Sequence, residues 1–232
     1  MIDAKKFSRG LFGGSFVLLI TINVFNALNY LFKFSMARML TLSDYGVLAV
    51  LISIINIFNI SAESIQTIVA KYTLQERGPG KIKNIFKRYY KHSLKIATPL
   101  FIFYLIISGI IGWLLRIEIA SVAAAGLAIF ALFLIPVTRG VLQGTKRFSA
   151  LGMNMVFEGL LKVGLAVLFV SLGWRVFGAV TSVSLGILIA FFLSFLSIRD
   201  ILNAKEEESE TEKIKGYSLS VLYVMFAVIV FY

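Results

Sequence analysis

The chain has no cysteine, a single histidine, three prolines and few charged residues. Each shortage removes a class of chemistry. Without cysteine there are no disulfides and no thiolate metal sites. His92 stands alone in a basic stretch, so no histidine cluster is available to hold a metal ion. Phosphate loops, H-E-x-x-H and G-x-S-x-G patterns are missing too, which argues against an enzyme and against a pump that hydrolyses ATP itself. Charged residues make up 15% of the sequence, against roughly 25% in an ordinary soluble domain.

What fills the space is hydrophobicity, at 59% of 232 residues. A soluble globule of this size would expose large apolar patches. A bilayer removes that difficulty, because lipid accepts an apolar helix on every side. A helix needs about 20 apolar residues to cross the hydrocarbon core. Runs of that kind cover 11–32, 45–70, 96–115, 119–138, 150–174 and 176–198, and a further one starts at 216 and meets the chain end at Tyr232. The runs are too long for strands and lack strict alternation. The fold class expected is therefore all-α integral membrane, a six-helix transmembrane bundle plus the start of a seventh helix. The expected organisation is an amino-terminal lobe over 1–200, a charged cytoplasmic linker over 201–215 and the start of a second lobe over 216–232. The abrupt end suggests that further spans follow.

Loop charge orients the bundle. Setting aside Arg139 at the end of the fourth run, 17 of the 23 basic residues fall before the first run, between the second and third, between the fourth and fifth, or after the sixth. The opposite loops hold only Lys33, Arg38, Arg116 and Arg175. The positive-inside rule then places the amino terminus in the cytoplasm of a cell membrane. This pattern also explains the net charge of +11 without nucleic acid. The stretch from Lys81 to Lys95 reads equally well as an interfacial helix on anionic membrane lipids or as a solvated basic loop.

Ionisable groups inside a span cost roughly 2.5–3.5 kcal/mol on insertion scales, so they face a cavity or a partner. Glu158 and Lys162 lie in the middle of the fifth run with i, i+4 spacing, the favourable order for an intrahelical ion pair. Asn154 lies one turn earlier on the same face. Asn56, Asn59, Glu63 and Gln66 share one face of the second run, and Asn23, Asn26 and Asn29 span an arc of about 120° on the first. Any single asparagine reads as helix–helix glue. Three polar stripes, two of them charged, instead predict a water-filled cavity lined by the first, second and fifth helices. Arg139 and Gln143 close the fourth run as further candidates, although Arg139 lies near enough to the cytoplasmic end to snorkel to the headgroups. Ser108-x-x-x-Gly112, Gly178-x-x-x-Ser182 and Gly186-x-x-x-Ala190 read as close-packing faces.

Two junctions add a resemblance. The stretch Ala37-Arg38-Met39-Leu40-Thr41-Leu42-Ser43-Asp44-Tyr45-Gly46 resembles the A-R-x-L-x-x-x-D/E-Y/F-G junction of polysaccharide biosynthesis flippases. Those are the O-antigen and teichoic-acid exporters of the multidrug/oligosaccharidyl-lipid/polysaccharide (MOP) superfamily. Residues 139–148, Arg-Gly-Val-Leu-Gln-Gly-Thr-Lys-Arg-Phe, are similar to the family's R-G-x-L-Q-G-x-x-R-F turn, and Leu172-Gly173 with Gly178 continue the likeness. The resemblance implies the first of two six-helix lobes and a central cavity between lobes. It implies alternating access for a lipid-linked saccharide, with the absent carboxyl-terminal lobe and the polysaccharide synthesis machinery as partners. No cofactor is expected beyond a coupling H⁺ or Na⁺. Two alternatives stand beside it. One is a drug/cation antiporter of the same superfamily, with Glu158 carrying the coupling ion. The other is a membrane subunit of an envelope-synthesis complex that transports nothing.

Overall fold

The structure, a computed structural model, describes residues 4–209. Among these residues there are only helices: α1 (Ala4–Met39), α2 (Leu42–Gln75), α3 (Pro79–Leu115), α4 (Ile119–Gly144), α5 (Phe148–Ser171), α6 (Arg175–Ser197) and the short α7 (Arg199–Asn203). The first six are long and apolar enough to cross a membrane, and together they form a multi-pass bundle. The seventh run, 216–232, lies outside the described residues.

The helices start and stop where local chemistry dictates. The Thr41 side chain accepts a hydrogen bond from the Asp44 amide and caps α2, with Asp44 itself in the positively polarised first turn. Pro79 opens α3, where its missing N–H costs nothing. Gly173, at φ +89°, supplies the left-handed residue that ends α5.

In cross-section the bundle is a U. One arm is α1 packed on α5, the other is α2 packed on α4, and α6 joins α4 to α5 as the base. The helix α3 covers the outer side of α4, while α1 and α2 scarcely touch. Surrounded by α2, α3 and α6, α4 has every residue from Ala131 to Leu142 buried. By contrast, α1 exposes Phe16, Leu19, Ile20, Tyr30 and Leu31, as a lipid-facing helix should.

Small residues set the spacing of each arm. A Cβ added at Gly140 would lie 2.8 Å from the carbonyl oxygen of Gln66, and one at Gly144 would lie 2.6 Å from that of Ala70. Gly140-x-x-x-Gly144 is thus the seam between α4 and α2. It was overshadowed in the sequence by the turn motif that contains it. Gly186 approaches the Glu158 carbonyl at the α5–α6 seam, as its small-xxx-small pattern predicts. Hydroxyls add polar ties: Ser184 donates to the Ala124 carbonyl and Ser194 to the Thr138 hydroxyl, each at 2.7 Å, both joining α6 to α4.

The basic stretch 81–95 departs from both sequence expectations. It is neither a loop nor a separate interfacial helix but the first half of α3, continuous with the third span. With 37 residues at ~1.5 Å each, α3 is about 55 Å long, well beyond a ~30 Å hydrocarbon core. Its projecting half is amphipathic. Ile82, Ile85, Phe86 and Tyr89 are buried, with Phe86 ringed by Tyr90 and Phe195, while Lys87, Lys91 and Lys95 stay exposed.

Candidate functional site: a polar cavity between two arms

The interior of the U is a cavity of about 600 Å³. The α1 wall presents Phe25, Asn29, Phe32 and Lys33, positions that share one helical face. The α2 wall presents Asn56, Asn59, Glu63, Gln66 and Thr67. Arg139 and Gln143 enter from α4, Glu158 and Lys162 from α5, while Val183 and Ile187 of α6 form an apolar base. So α4 and α6 line the space as well as the three helices expected.

The deepest feature is a closed network. The Arg139 Nε donates to Asn154 Oδ1 at 2.9 Å and its Nη2 to Glu158 Oε2 at 2.6 Å. The Asn154 amide donates onward to the Ala190 carbonyl at 2.7 Å. All three side chains are buried, at 9%, 7% and 6% exposure, and the network pins α4, α5 and α6 together. Two sequence expectations fail here. Arg139 turns inward instead of snorkelling, because a carboxylate and an amide oxygen on the facing helix satisfy its donors. Glu158 consequently pairs with Arg139 and not with Lys162.

Lys162 turns to α1. Its ammonium donates to Asn29 Oδ1 and lies 5.7 Å from the Phe25 ring centroid and 5.6 Å from that of Phe32. These π faces attract a cation without neutralising it. Among the described residues no carboxylate lies within ion-pair distance of Lys162. Lys33, one turn beyond Asn29, adds a second ammonium to the same space.

On the opposite wall, Glu63 accepts from the Asn59 amide at 3.3 Å, and the Gln66 amide donates to Gln143 Oε1 at 2.9 Å across the α2–α4 seam. Glu63 has no ion-pair partner among the described residues. The cavity therefore has two chemically distinct ends. Asn29, Lys33 and Lys162 lie toward the α1–α2 turn, whereas Glu63, Gln66 and Gln143 lie toward the opposite end.

Of the candidates read from sequence, Asn29, Asn56, Asn59, Glu63, Gln66, Arg139, Gln143, Glu158 and Lys162 line the cavity. Asn154 stands behind it, holding Arg139. Asn23 and Asn26 do not line it. Both are exposed, and the Asn23 amide is spent on the Leu19 carbonyl of its own helix. The inward face of α1 is thus rotated to one edge of the asparagine arc. Lys33, Phe25 and Phe32 were missed. Their signal was the spacing from Asn29, which places all four on one stripe, but two phenylalanines and a loop-edge lysine look like ordinary lipid-facing and topology residues. Among the described residues no cluster of metal-ligating side chains occurs.

No protein-family model matches the chain, and no curated protein matches it. Solved structures do. The chain is similar to an outward-facing multidrug resistance MATE family transporter of the MOP superfamily, with TM-score 0.68 and 13% identity, over 95% of this chain and 52% of that one. It is similar to a MOP superfamily transporter from Pyrococcus furiosus whose structure is described as having a binding pocket of reverse polarity that suggests a different function (TM-score 0.69, 14% identity, 95% and 52% covered). A third likeness is to MATE in complex with Br-NRF, with TM-score 0.70 and 16% identity over 95% and 54%. The chain spans about half the length of each of these structures, and its fold is similar to that of the half it covers.

Proposed function

We propose that the chain is the amino-terminal lobe of a MOP-type membrane transporter, and that its cargo is a lipid-linked oligosaccharide or polysaccharide precursor moved by alternating access. The observation that carries this reading is the composition of the cavity. Its described lining holds three cations, Lys33, Arg139 and Lys162, against two carboxylates, Glu63 and Glu158, and Arg139 and Glu158 neutralise each other. Two ammonium groups at one end suit a phosphate, and the amide wall of α2 suits sugar hydroxyls. The resemblance of residues 37–46 and 139–148 to polysaccharide flippases points the same way. In this reading residues 1–200 form the lobe, 201–215 the cytoplasmic linker and 216–232 the start of the second lobe. The amino terminus faces the cytoplasm.

A second reading, a drug/cation antiporter, is favoured by the multidrug MATE likeness and by Glu63. With Glu158 held by Arg139, Glu63 is the lining carboxylate left to carry a coupling H⁺ or Na⁺.

The test is reconstitution of the full-length protein in liposomes with either a fluorescent lipid-linked oligosaccharide or a cationic dye as cargo. Flipping of the saccharide, reduced at least tenfold by the double substitution K33A/K162A, is the expected result. Dye export that survives K33A/K162A and is abolished by E63Q would replace the first reading with the second.

A further inference from the structure

The chain leaving α6 does not run free. It is rooted first. The Arg147 guanidinium, in the α4–α5 turn, forks onto the Asp200 carboxylate and also donates to the Ser197 carbonyl at 2.7 Å. Ile198 and Ile201 are buried at 0% and 2% exposure, so the root is held by packing as well as charge. Residues 204–207 then cross the projecting first turns of α3. The Lys83 ammonium donates to the Ala204 carbonyl at 2.8 Å. The Glu206 carboxylate takes both the Lys87 ammonium and the Asn84 amide. The crossing is close: a Cβ on Gly80 would lie 2.3 Å from the Lys205 carbonyl oxygen, so only glycine admits the strap at that point.

Root and tip differ in kind. The root pair is bidentate but itself exposed, at 35% and 60%, so what fixes the root is the packing of the buried isoleucines beside it. The tip rests on side chains that are 55% and 40% exposed, and exposed ion pairs are weak and screened by salt. A strap with a fixed root and a lightly held tip is built to release at one end.

We propose that residues 204–208 are a detachable latch on the first turns of α3, and that its release sets the pace of movement between this bundle and the chain that follows. Any pull transmitted along the linker reaches the tip first. While docked, the tip holds residues 204–208 on α3; once released, it frees about five residues, or ~17 Å of extended chain. The consequence for rate rests on the transporter reading above, whereas the latch itself does not.

Two measurements separate these. In the full-length protein in nanodiscs, spin labels at Lys91→Cys and Glu208→Cys should give two distance populations. The longer one should grow at least threefold between 50 mM and 1 M salt and dominate in E206K. A single distance indifferent to both salt and E206K would overturn the latch. The pair N84C/E206C should then form a disulfide that slows flipping of the lipid-linked oligosaccharide at least tenfold, with recovery on reduction and unchanged cargo binding. Oxidised protein that transports at the reduced rate would overturn the role in pacing. Two salt-dependent populations in a protein that moves neither cargo would retain the latch and sink the transporter reading instead.

Discussion

The base and the mouth of the U use the same polar residue types to opposite ends. At the base, Arg139, Asn154 and Glu158 are buried, donate and accept among themselves, and leave no charge over. At the mouth, Lys33, Asn56 and Glu63 are exposed on walls that scarcely meet. The difference lies in the surroundings. Helix α6 packs closely on both α4 and α5, so a polar group buried where the three meet must find a protein partner or pay a desolvation penalty. Walls that face a cavity can leave their polar groups to water or a ligand. The base is therefore a structural rivet, and the mouth is the surface with chemistry to offer.

Breaking the rivet should have the largest effect. Leucine at Glu158 strands a buried guanidinium, with an expected cost of about 3–5 kcal/mol. The compensated pair R139M/E158L should recover most of it, because an apolar pair of similar volume is a tolerable substitute. Thermal unfolding of the purified protein in detergent reads both, and equal losses in the single and double variants would contradict the rivet.

The arm seams come next. Valine at Gly140 forces atoms against the Gln66 carbonyl and the Val69 side chain, and an overpacked site of this kind costs about 1–3 kcal/mol. Gly164 is the control, since a Cβ there meets nothing within 4 Å. Its alanine variant should be neutral or, from helix propensity alone, up to ~1 kcal/mol more stable.

A residue on the cavity wall should behave differently. Alanine at Gln143 releases the Gln66 amide into a wet cavity, so melting should shift by no more than ~1 kcal/mol while cargo affinity falls. A large stability loss without a change in affinity would put Gln143 with the rivet.

The smallest effect belongs to the root of the strap. The hydrogen bond from Arg147 holds the Asp200 carboxyl below its ordinary value, outside the membrane spans. A depressed carboxyl contributes stability above the unfolded value of about 3.9 and loses it as pH falls through its folded value. Because Asp200 is largely exposed, solvent screening limits the contribution to ~0–1 kcal/mol. D200N should lower stability at pH 7 by that amount and flatten the acid limb of the melting curve below pH ~4.

Much of this was legible in the sequence. Runs of about 20 apolar residues give spans for a reason that needs no tertiary structure: an unsatisfied peptide group in lipid is too costly. The polar faces of α2 and α5 were legible too, because spacings of 3, 4 and 3 on α2 and of 4 and 4 on α5 keep side chains on one side of a helix. Partner choice was not legible. Glu158 has Lys162 one turn away in sequence, yet Arg139, 19 residues earlier, takes it. An i, i+4 neighbour is always within reach, whereas a residue across a helix seam is in reach only once Gly140, Gly144 and Gly186 have set the spacing of the helices.

The sequence by itself determined that this protein is a bundle of membrane-crossing helices, and which faces of α2 and α5 are polar, because hydropathy and helical period are local properties. Only the tertiary structure decided which of those polar groups are spent on each other and which are left for a ligand. That division depends on distances between helices, and those are set by packing across residues far apart in the chain.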